Sequence, residues 1–292
     1  MKRLKRIALV LVTVTTMGLM ALTGCTKMTS YEKYTNADLY SVGSVNMSAE
    51  AVKKVDIDWI NGSIEVAQST TQTLKIVEEK SPENAEERMR YYVDGSTLKV
   101  KYCQSGLRRN IDAQNKNLRV EIPAGLSLEI DTVSAGVTIG VLESTSLSIE
   151  SESGNITAER IVGKDVEIET GNGKVSVGEL IASAVSFDSS SGEVSVARLS
   201  GDFLDAETIS GALSFGVQKA VRAEVESTSG DVTFTLGEGL GATVKLETAT
   251  GKLKTDKQYA KTGTRYDIFG ADGSSTECNI EIDVFSGDVY IR

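Results

Sequence analysis

The sequence predicts an all-β chain folded as a single parallel β-solenoid (β-helix) with coils of about 19 residues and an irregular N-terminal cap. The first observation is a repeated turn signal: Ser134-Ala135, Ser153-Gly154, Asn172-Gly173, Ser191-Gly192, Ser210-Gly211 and Ser229-Gly230 recur every 19 residues, and Thr250-Gly251 follows after 21. The second is composition, with 27 Gly, 2 Pro and 5% aromatic residues. Such a chain favours narrow, regularly turned β structure with a core of aliphatic residues.

Apolar residues keep the same period as the turns. Two residues after the glycines stand Ile156, Val175, Val194, Leu213, Val232 and Leu253; twelve and fourteen residues after them stand pairs such as Val166/Ile168, Val185/Phe187 and Leu204/Ala206. Within each unit apolar and polar residues alternate, which predicts strands with one buried face. These strands are too short to pack alone, so we expect each coil to stack in parallel on the preceding one.

Three features mark each corner of the predicted coils. The glycine suits a backbone that needs φ > 0 or that has no room for a Cβ atom. The Ser, Thr or Asn before it is expected to bond the backbone of its own turn. A second hydroxyl column is expected to point inward and to bond from coil to coil: Thr132, Ser151, Thr170, Ser189, Thr208, Ser227 and Thr248.

Residues 1–24 have the composition of a signal peptide. Lys2, Arg3, Lys5 and Arg6 precede an uncharged stretch over residues 7–22, which is short for a membrane span but suits the apolar region of a signal peptide. Leu22-Thr23-Gly24-Cys25 then resembles the bacterial lipobox. That resemblance implies that the Cys25 sulfur receives diacylglycerol, so the lipid bilayer is an expected partner.

The mature chain is divided from its patterns into three further parts. Residues 25–49 are polar and predicted to form a tether. Residues 50–123 contain less regular strands and are predicted to form the N-terminal cap and first coils, with a short helix or a charged loop over Pro82–Arg90. Residues 124–292 carry the solenoid repeats and end in a last copy of the motif at Ser286-Gly287.

Composition also excludes several chemistries. The chain has no histidine, which removes Ser-His-Asp, Cys-His and His-zinc sites. The formal charge is −10 and becomes −14 when the four basic residues of the signal segment are removed. Nucleic acid is therefore not an expected partner.

An acidic column is the candidate functional site. One outward-facing position of each coil, directly after the second inward apolar residue, is acidic in seven coils: Asp131, Glu150, Glu169, Asp188, Glu207, Glu226 and Glu247. The outward position two residues earlier is acidic in four coils, at Glu129, Glu167, Asp205 and Glu224, and Lys245 is the one basic residue there. One interpretation is a solubilising face; the other is a surface for a basic partner or for weakly bound Ca²⁺, whose preferred ligands are carboxylate oxygens. No cofactor, catalytic residue or dedicated metal site is otherwise expected.

The repeated units and an early motif resemble a known family. Asp58-Trp59-Ile60-Asn61-Gly62-Ser63-Ile64-Glu65-Val66, followed by Ser-Gly-Asp-Val-type units, is similar to the bacterial family named "putative adhesin", whose function is unknown. The resemblance covers roughly residues 50–292. It implies a right-handed solenoid in the cell envelope and supplies no catalytic residues.

These observations predict a non-enzymatic binding or scaffold module, lipid-anchored outside the cytoplasm, with an envelope protein or glycan as its partner. The first alternative is an accessory protein in envelope-stress sensing. The second is a polysaccharide-active enzyme, because paired carboxylates can act as acid and base on glycosides. A regular ladder gives no carboxylate pair distinct environments, and the coils carry almost no loop insertions, so we expect no catalysis.

Overall fold

A computed structural model describes residues 31–108, 115–270 and 278–292, and it confirms the predicted all-β solenoid. Cys25 and the signal segment lie outside these residues. The described chain forms one sheet system of 23 strands and a single-turn 3-10 helix over Ala37–Leu39. No helix in the described ranges has the length and apolar character needed to cross a membrane.

The strands fall into three groups along the chain. The N-terminal group is β1 (Ser41–Val42), β2 (Val45–Ser48), β3 (Lys54–Trp59), β4 (Gly62–Gln68), β5 (Thr73–Glu79), β6 (Arg90–Asp94), β7 (Thr97–Lys101) and β8 (Lys116–Ile122). The central group is β9 (Ser127–Thr132), β10 (Gly136–Glu143), β11 (Ser146–Ser151), β12 (Ile156–Thr170), β13 (Val175–Ser189), β14 (Val194–Thr208), β15 (Leu213–Val217), β16 (Arg222–Ser227) and β17 (Val232–Leu236). The C-terminal group is β18 (Ala242–Thr248), β19 (Leu253–Thr255), β20 (Tyr259–Thr262), β21 (Arg265–Ile268), β22 (Cys278–Val284) and β23 (Val289–Ile291).

Central coils stack in parallel in the register that the 19-residue period predicts. Val166 pairs with Val185, and Val185 pairs with Leu204. The column after the glycines is likewise continuous through Ile156 and Val175. These inward residues are buried, so the core is a set of aliphatic ladders running along the solenoid.

The stacking order departs from the chain order at the N-terminal end. β3 lies between β7 and β9, and β4 lies between β8 and β10. The coil formed by β7 and β8 is therefore outermost, although it follows β3 and β4 in sequence. Antiparallel strands then cover its edges, β6 and β1 beyond β7, and β5 and β2 beyond β8.

The C-terminal end shows the same reversal. β22 lies between β16 and β18, and β23 lies between β17 and β19, so the last coil of the chain is the second-last coil of the stack. The β20–β21 hairpin covers part of the outer edge of β18. The end of the stack is therefore partly covered by an antiparallel hairpin. An uncovered parallel coil would have an open edge that could pair with another chain.

The predicted tether over residues 25–49 is wrong from Tyr31 onward. Tyr31 is buried, and Tyr34 packs against Tyr40 with a ring separation of 4.7 Å. β1 and β2 extend the two antiparallel sheets at this end. The aromatic side chains explain the difference, because they bury enough apolar surface to order a segment whose remaining residues are polar. Residues 82–89 form a loop with turns, which decides between the two predicted alternatives.

A buried polar cluster fixes the outermost coil on its neighbour. The Lys116 ammonium forms an ion pair with Glu78 at 2.5 Å, and the Trp59 indole donates to the Lys116 carbonyl at 3.0 Å. Burial lowers the pKa of Lys116, while the Glu78 carboxylate opposes this shift. Gly62 lies directly under the same carbonyl, with φ of 97°, and a Cβ there would come within 2.1 Å of the oxygen. The Asn61-Gly62 turn is therefore required for this contact.

Crowding, and not a positive φ, explains the glycines of the central corners. A Cβ on Gly192 would lie 1.9 Å from the carbonyl oxygen of Gly173, and a Cβ on Gly211 would lie 2.0 Å from that of Gly192. None of these three has a positive φ. The second of the two predicted reasons for glycine is therefore the correct one.

The roles of the two hydroxyl columns are exchanged relative to the prediction. Thr170 accepts a hydrogen bond from the Gly173 amide at 2.9 Å, so the inward column closes its own turn. Ser229 instead donates to the carbonyl of Ile209 in the neighbouring coil at 3.1 Å. The inward hydroxyl lies three residues before the glycine and reaches the turn amide, whereas the serine beside the glycine points along the stack.

Cys103 and Cys278 are both buried, and no disulfide joins them. Cys103 follows β7 of the outermost N-terminal coil, and Cys278 begins β22 near the other end of the stack. Eight coil steps separate them, or about 38 Å at the usual strand spacing. A disulfide tolerates Cα separations of only about 7 Å, so these two cysteines do not pair in this fold.

Candidate functional site

One face of the solenoid carries the acidic residues that the sequence singles out. It is built from β3, β9, β11, the C-terminal halves of β12, β13 and β14, and then β16, β22 and β18. Each of these strands alternates an inward apolar side chain with an outward polar one. Because the coils are in register, the outward residues that pair from strand to strand form columns along the stack.

Two such columns carry the carboxylates, the first without interruption and the second interrupted by two serines. The first column contains, in stacking order, Asp58, Asp131, Glu150, Glu169, Asp188, Glu207, Glu226, Asp283 and Glu247. The second contains Asp56, Glu129, Glu167, Asp205, Glu224 and Glu281, with Ser148 and Ser186 between them. We call these fifteen residues the acidic face.

Every acidic residue that the sequence assigns to this site lies on the acidic face. The structure adds four that the sequence analysis missed, namely Asp56, Asp58, Glu281 and Asp283. Their strands are recognisable in the sequence as Val55-Ile57-Trp59 and Ile280-Ile282-Val284. Only the stacking order shows that these strands belong to the same face, and that order is not visible in the 19-residue period.

Lysines lie at both ends of the acidic face. At the N-terminal end, Lys101 forms an ion pair with Asp58, and Lys54 forms one with Glu129. At the C-terminal end, Lys245 contacts Glu281 at 2.5 Å and Glu247 at 3.1 Å. These ion pairs offset part of the negative charge at both ends of the acidic face.

Two carboxyl groups of the middle coils, Glu169 and Asp188, hold their protons more tightly than isolated carboxyl groups do. Loss of hydration, reinforced by the carboxylates of Asp188, Glu150 and Glu167, raises the pKa of Glu169 to about 7. The pKa of Asp188 rises to about 6, first through loss of hydration and then through Asp205 and Glu167.

At the N-terminal end of the ladder, loss of hydration and the neighbouring Glu129 and Glu150 raise the pKa of Asp131 to about 6, although Lys101 opposes this shift. All three shifts have the same direction. Neighbouring carboxylates in successive coils are therefore repelling one another in a partly dehydrated setting.

The acidic face does not form a concave metal site. Within residues 31–108, 115–270 and 278–292, no three Asp, Glu or Cys side chains converge closely enough to hold a metal ion. The carboxylates instead repeat along a flat surface at about 4.8 Å per coil. An open depression of about 650 Å³ lies at the C-terminal end, lined by residues that include Leu253, Tyr259 and Tyr266, and it reaches the acidic face only at Glu247.

Cys25, the predicted lipidation site, lies outside the described residues. The first described residue is Tyr31, which is already buried in the N-terminal end of the solenoid. The structure therefore gives the position at which a lipid-bearing segment would join the fold, but not the segment itself.

Comparison with known proteins identifies the fold. The sequence model of the family described as Toastrack DUF4097 matches residues 52–292. No curated protein matches the chain. A crystal structure of a protein from Parabacteroides distasonis ATCC 8503, described as a "putative lipid binding protein", is 16% identical with a TM-score of 0.53, over 85% of this chain and 96% of that one.

Two further crystal structures are similar over most of their length. A "putative adhesin" from Bacteroides fragilis NCTC 9343 is 11% identical with a TM-score of 0.40, over 86% of this chain and 97% of that one. A "putative adhesin" from Parabacteroides merdae ATCC 43184 is 10% identical with a TM-score of 0.40, over 86% and 96% respectively. At these identities the similarity concerns the fold alone.

Proposed function

Because the chain belongs to the Toastrack DUF4097 family, we propose that it is a non-catalytic binding or scaffold module of the bacterial cell envelope. It is anchored outside the cytoplasm by a lipid on Cys25, and the acidic face is its recognition surface. The partner is an envelope protein or glycan that presents positive charge to this face.

The observation that carries this proposal is the continuity of the acidic face across the coils. Carboxylates occupy the first column in nine successive coils, from Asp58 to Glu247. Loss of hydration, and after it repulsion by neighbouring carboxylates, raises the pKa values of Glu169 and Asp188. A cationic partner relieves this repulsion, so part of the electrostatic cost already present in the free protein is recovered on binding.

The same geometry disfavours catalysis. An acid–base pair needs one carboxyl that stays protonated beside one that ionises, which requires environments that shift the two pKa values apart. On the acidic face the pKa values of Asp131, Glu169 and Asp188 all rise. A flat ladder of equivalent groups suits charge recognition better than bond cleavage.

Binding of a lysine decapeptide to the mature protein tests the recognition surface. Replacing Glu169 and Glu207 with Gln and Asp188 with Asn removes three ionisable carboxyl groups from the middle of the acidic face. The matched control replaces Glu50, Glu143 and Glu238 with Gln, because these residues are exposed on other surfaces. Isothermal titration at low salt gives the dissociation constants of all three proteins.

The proposal expects the ladder variant to bind the peptide at least about tenfold more weakly, which corresponds to about 1.4 kcal/mol. The control variant is expected to bind like the unaltered protein. Equal weakening in both variants would indicate that net charge alone attracts the peptide, and would contradict the recognition surface.

Anchoring is tested separately in the producing cell. With Cys25 replaced by Ala, the precursor is expected to remain unprocessed and to incorporate no fatty-acid probe. Fatty-acid labelling of the Cys25→Ala variant at the normal level would contradict the lipid anchor.

A further inference from the structure

Tyr31 is a fixed point at the N-terminal end of the solenoid. Its backbone amide donates to the Leu107 carbonyl at 2.8 Å, and its hydroxyl accepts a hydrogen bond from the Tyr102 amide at 3.3 Å. The next residue is also held, because the Gly106 amide donates to the Glu32 carbonyl at 2.9 Å. The chain is therefore held in the fold from residue 31 onward.

The chain between Cys25 and Tyr31 limits how far the fold can stand from a lipid on Cys25. A fully extended chain spans at most about 3.6 Å per residue, so six residue steps reach about 22 Å. The ten stacked coils are longer than this, since nine steps of about 4.8 Å place the two end coils about 43 Å apart. The N-terminal end must therefore lie near the bilayer, whereas the C-terminal end lies either along the membrane or away from it.

The surface at the N-terminal end differs in chemistry from the rest of this acidic chain. Between residues 31 and 48 only Glu32, Lys33 and Asp38 are charged. Leu39 is 56% exposed and Val42 is 44% exposed, although both are aliphatic. Val42 lies on β1, the outermost strand beyond β7 and β6. We call the exposed surface around Leu39 and Val42 the N-terminal end surface.

Charge decides which orientation of the solenoid is favourable. Lying flat would bring charged sides of a protein with a mature charge of −14 close to lipid headgroups, and anionic lipids would repel them within about 8 Å at physiological salt. Standing on its N-terminal end places two exposed aliphatic side chains at the bilayer, beside the loop over residues 80–90, whose three basic and three acidic residues cancel in charge. That orientation also keeps the acidic face in solvent along its whole length.

We propose that the N-terminal end surface rests on the lipid bilayer, so that the solenoid stands on the membrane with the acidic face directed outward. This inference rests on the proposed anchoring through Cys25. Leu39 and Val42 contact the headgroup region, and the depression lined by Leu253, Tyr259 and Tyr266 lies at the opposite, membrane-distal end.

Tryptophan quenching by brominated lipids tests this orientation. The lipidated protein, as the variants Leu39→Trp and Phe285→Trp, is reconstituted into vesicles of phosphatidylcholine and anionic phosphatidylglycerol that contain brominated acyl chains. Phe285 is the matched control because it is 65% exposed and lies in the second-last coil of the stack. The native Trp59 is buried and supplies the same background in both variants.

Quenching of Leu39→Trp without quenching of Phe285→Trp is the expected result. Quenching of both would mean that the solenoid lies flat, and quenching of neither would mean that the end surface does not touch lipid; either result overturns the proposal. Flotation of the vesicles distinguishes a failure of the anchor, because protein without a lipid on Cys25 would not float with them. If the Cys25→Ala form floated and its Leu39→Trp variant were still quenched, the end surface would bind lipid without the anchor, and fatty-acid labelling would decide the anchor separately.

Discussion

Gly287 lies between Gly230 and Gly251 in the stack, although Gly251 follows Gly230 as the next turn glycine in the sequence. A Cβ on Gly287 would lie 2.1 Å from the Gly230 carbonyl oxygen, and a Cβ on Gly251 would lie 1.9 Å from the Gly287 carbonyl oxygen. The last coil of the chain is therefore inserted into the stack. The insertion brings Asp283 and Glu281 onto the acidic face and places Lys245 at its end.

The glycine column predicts a position-specific cost of adding a methyl group. Gly211→Ala would place its Cβ 2.0 Å from a backbone oxygen, so the coils must shift and the free energy of unfolding should fall by about 1 to 3 kcal/mol or more. Gly136→Ala is the matched control, because its Cβ would meet its nearest atom at 3.8 Å. Urea unfolding followed by circular dichroism measures both; equal stability of the two variants would contradict the close stacking.

The packing of Phe187 against Phe215 predicts that removing the Phe187 ring leaves a large cavity. Phe187 is buried and its ring lies 5.8 Å from that of Phe215. Phe187→Ala should lower the free energy of unfolding by about 3 to 5 kcal/mol. Phe285→Ala, at an exposed corner, should change it by less than about 0.5 kcal/mol. A small effect at Phe187 in the same unfolding experiment would show that its column does not face the core.

The raised carboxyl pKa values predict that stability falls as pH rises. Asp131, Glu169 and Asp188 have folded pKa values of about 6, 7 and 6, above the ordinary values of 3.8, 4.5 and 3.8. Between these limits the folded protein binds more protons than the unfolded chain, so the free energy of unfolding decreases as pH increases through this window.

Comparing urea unfolding at about pH 5 and about pH 8 measures this dependence. A variant with Glu169→Gln and Asp188→Asn should lose much of it and should be more stable than the unaltered protein at the higher pH. Glu143→Gln removes an exposed carboxyl outside the acidic face and should leave the pH dependence unchanged. If the double variant kept the full pH dependence, the carboxylates would not interact as described.

The flat arrangement of the acidic face predicts the response to calcium. Because no three carboxylates in the described residues converge on one point, millimolar CaCl₂ should raise the melting temperature no more than NaCl at equal ionic strength. A larger effect of calcium, abolished by replacing Glu169 and Glu207 with Gln and Asp188 with Asn, would instead establish a cation site on the ladder.

The sequence predicts the coils well because the residues of each strand show which side chains face inward. Alternation places Val185 and Phe187 inward and Asp188 outward, and the 19-residue period aligns them with their neighbours. These features depend only on local geometry and on a repeated unit, so they can be read from one chain without knowing its contacts.

The order of the end coils could not be predicted from those signals. An inward-facing strand such as β22 fits against β16 or against another coil equally well by alternation alone. The strand at the end of the stack needs a partner that covers its outer edge. β18 has such a partner in β21, so β18 occupies the end and β22 lies inside it. The exchange of the hydroxyl roles was missed for a similar reason, because Ser227 and Ser229 differ in their distance from the turn amide and not in their chemistry.

The acidic face is continuous only because the coils stack in this order. Thr228, Phe285 and Ala249 are exposed at the same corner of three successive coils, in that order. The backbones of adjacent coils lie about 4.8 Å apart and those two coils apart about 9.6 Å, whereas a disulfide requires Cα atoms within about 7 Å. The pair Thr228→Cys and Phe285→Cys is therefore close enough to cross-link, and the pair Thr228→Cys and Ala249→Cys is not.

Mass spectrometry of non-reduced peptides after mild oxidation of the folded protein distinguishes the two arrangements. The native Cys103 and Cys278 are buried and should not interfere. With the last coil inserted between the other two, a disulfide is expected between positions 228 and 285 and none between 228 and 249. A disulfide between 228 and 249 with none between 228 and 285 would mean that the coils stack in chain order, and would contradict the continuous acidic face.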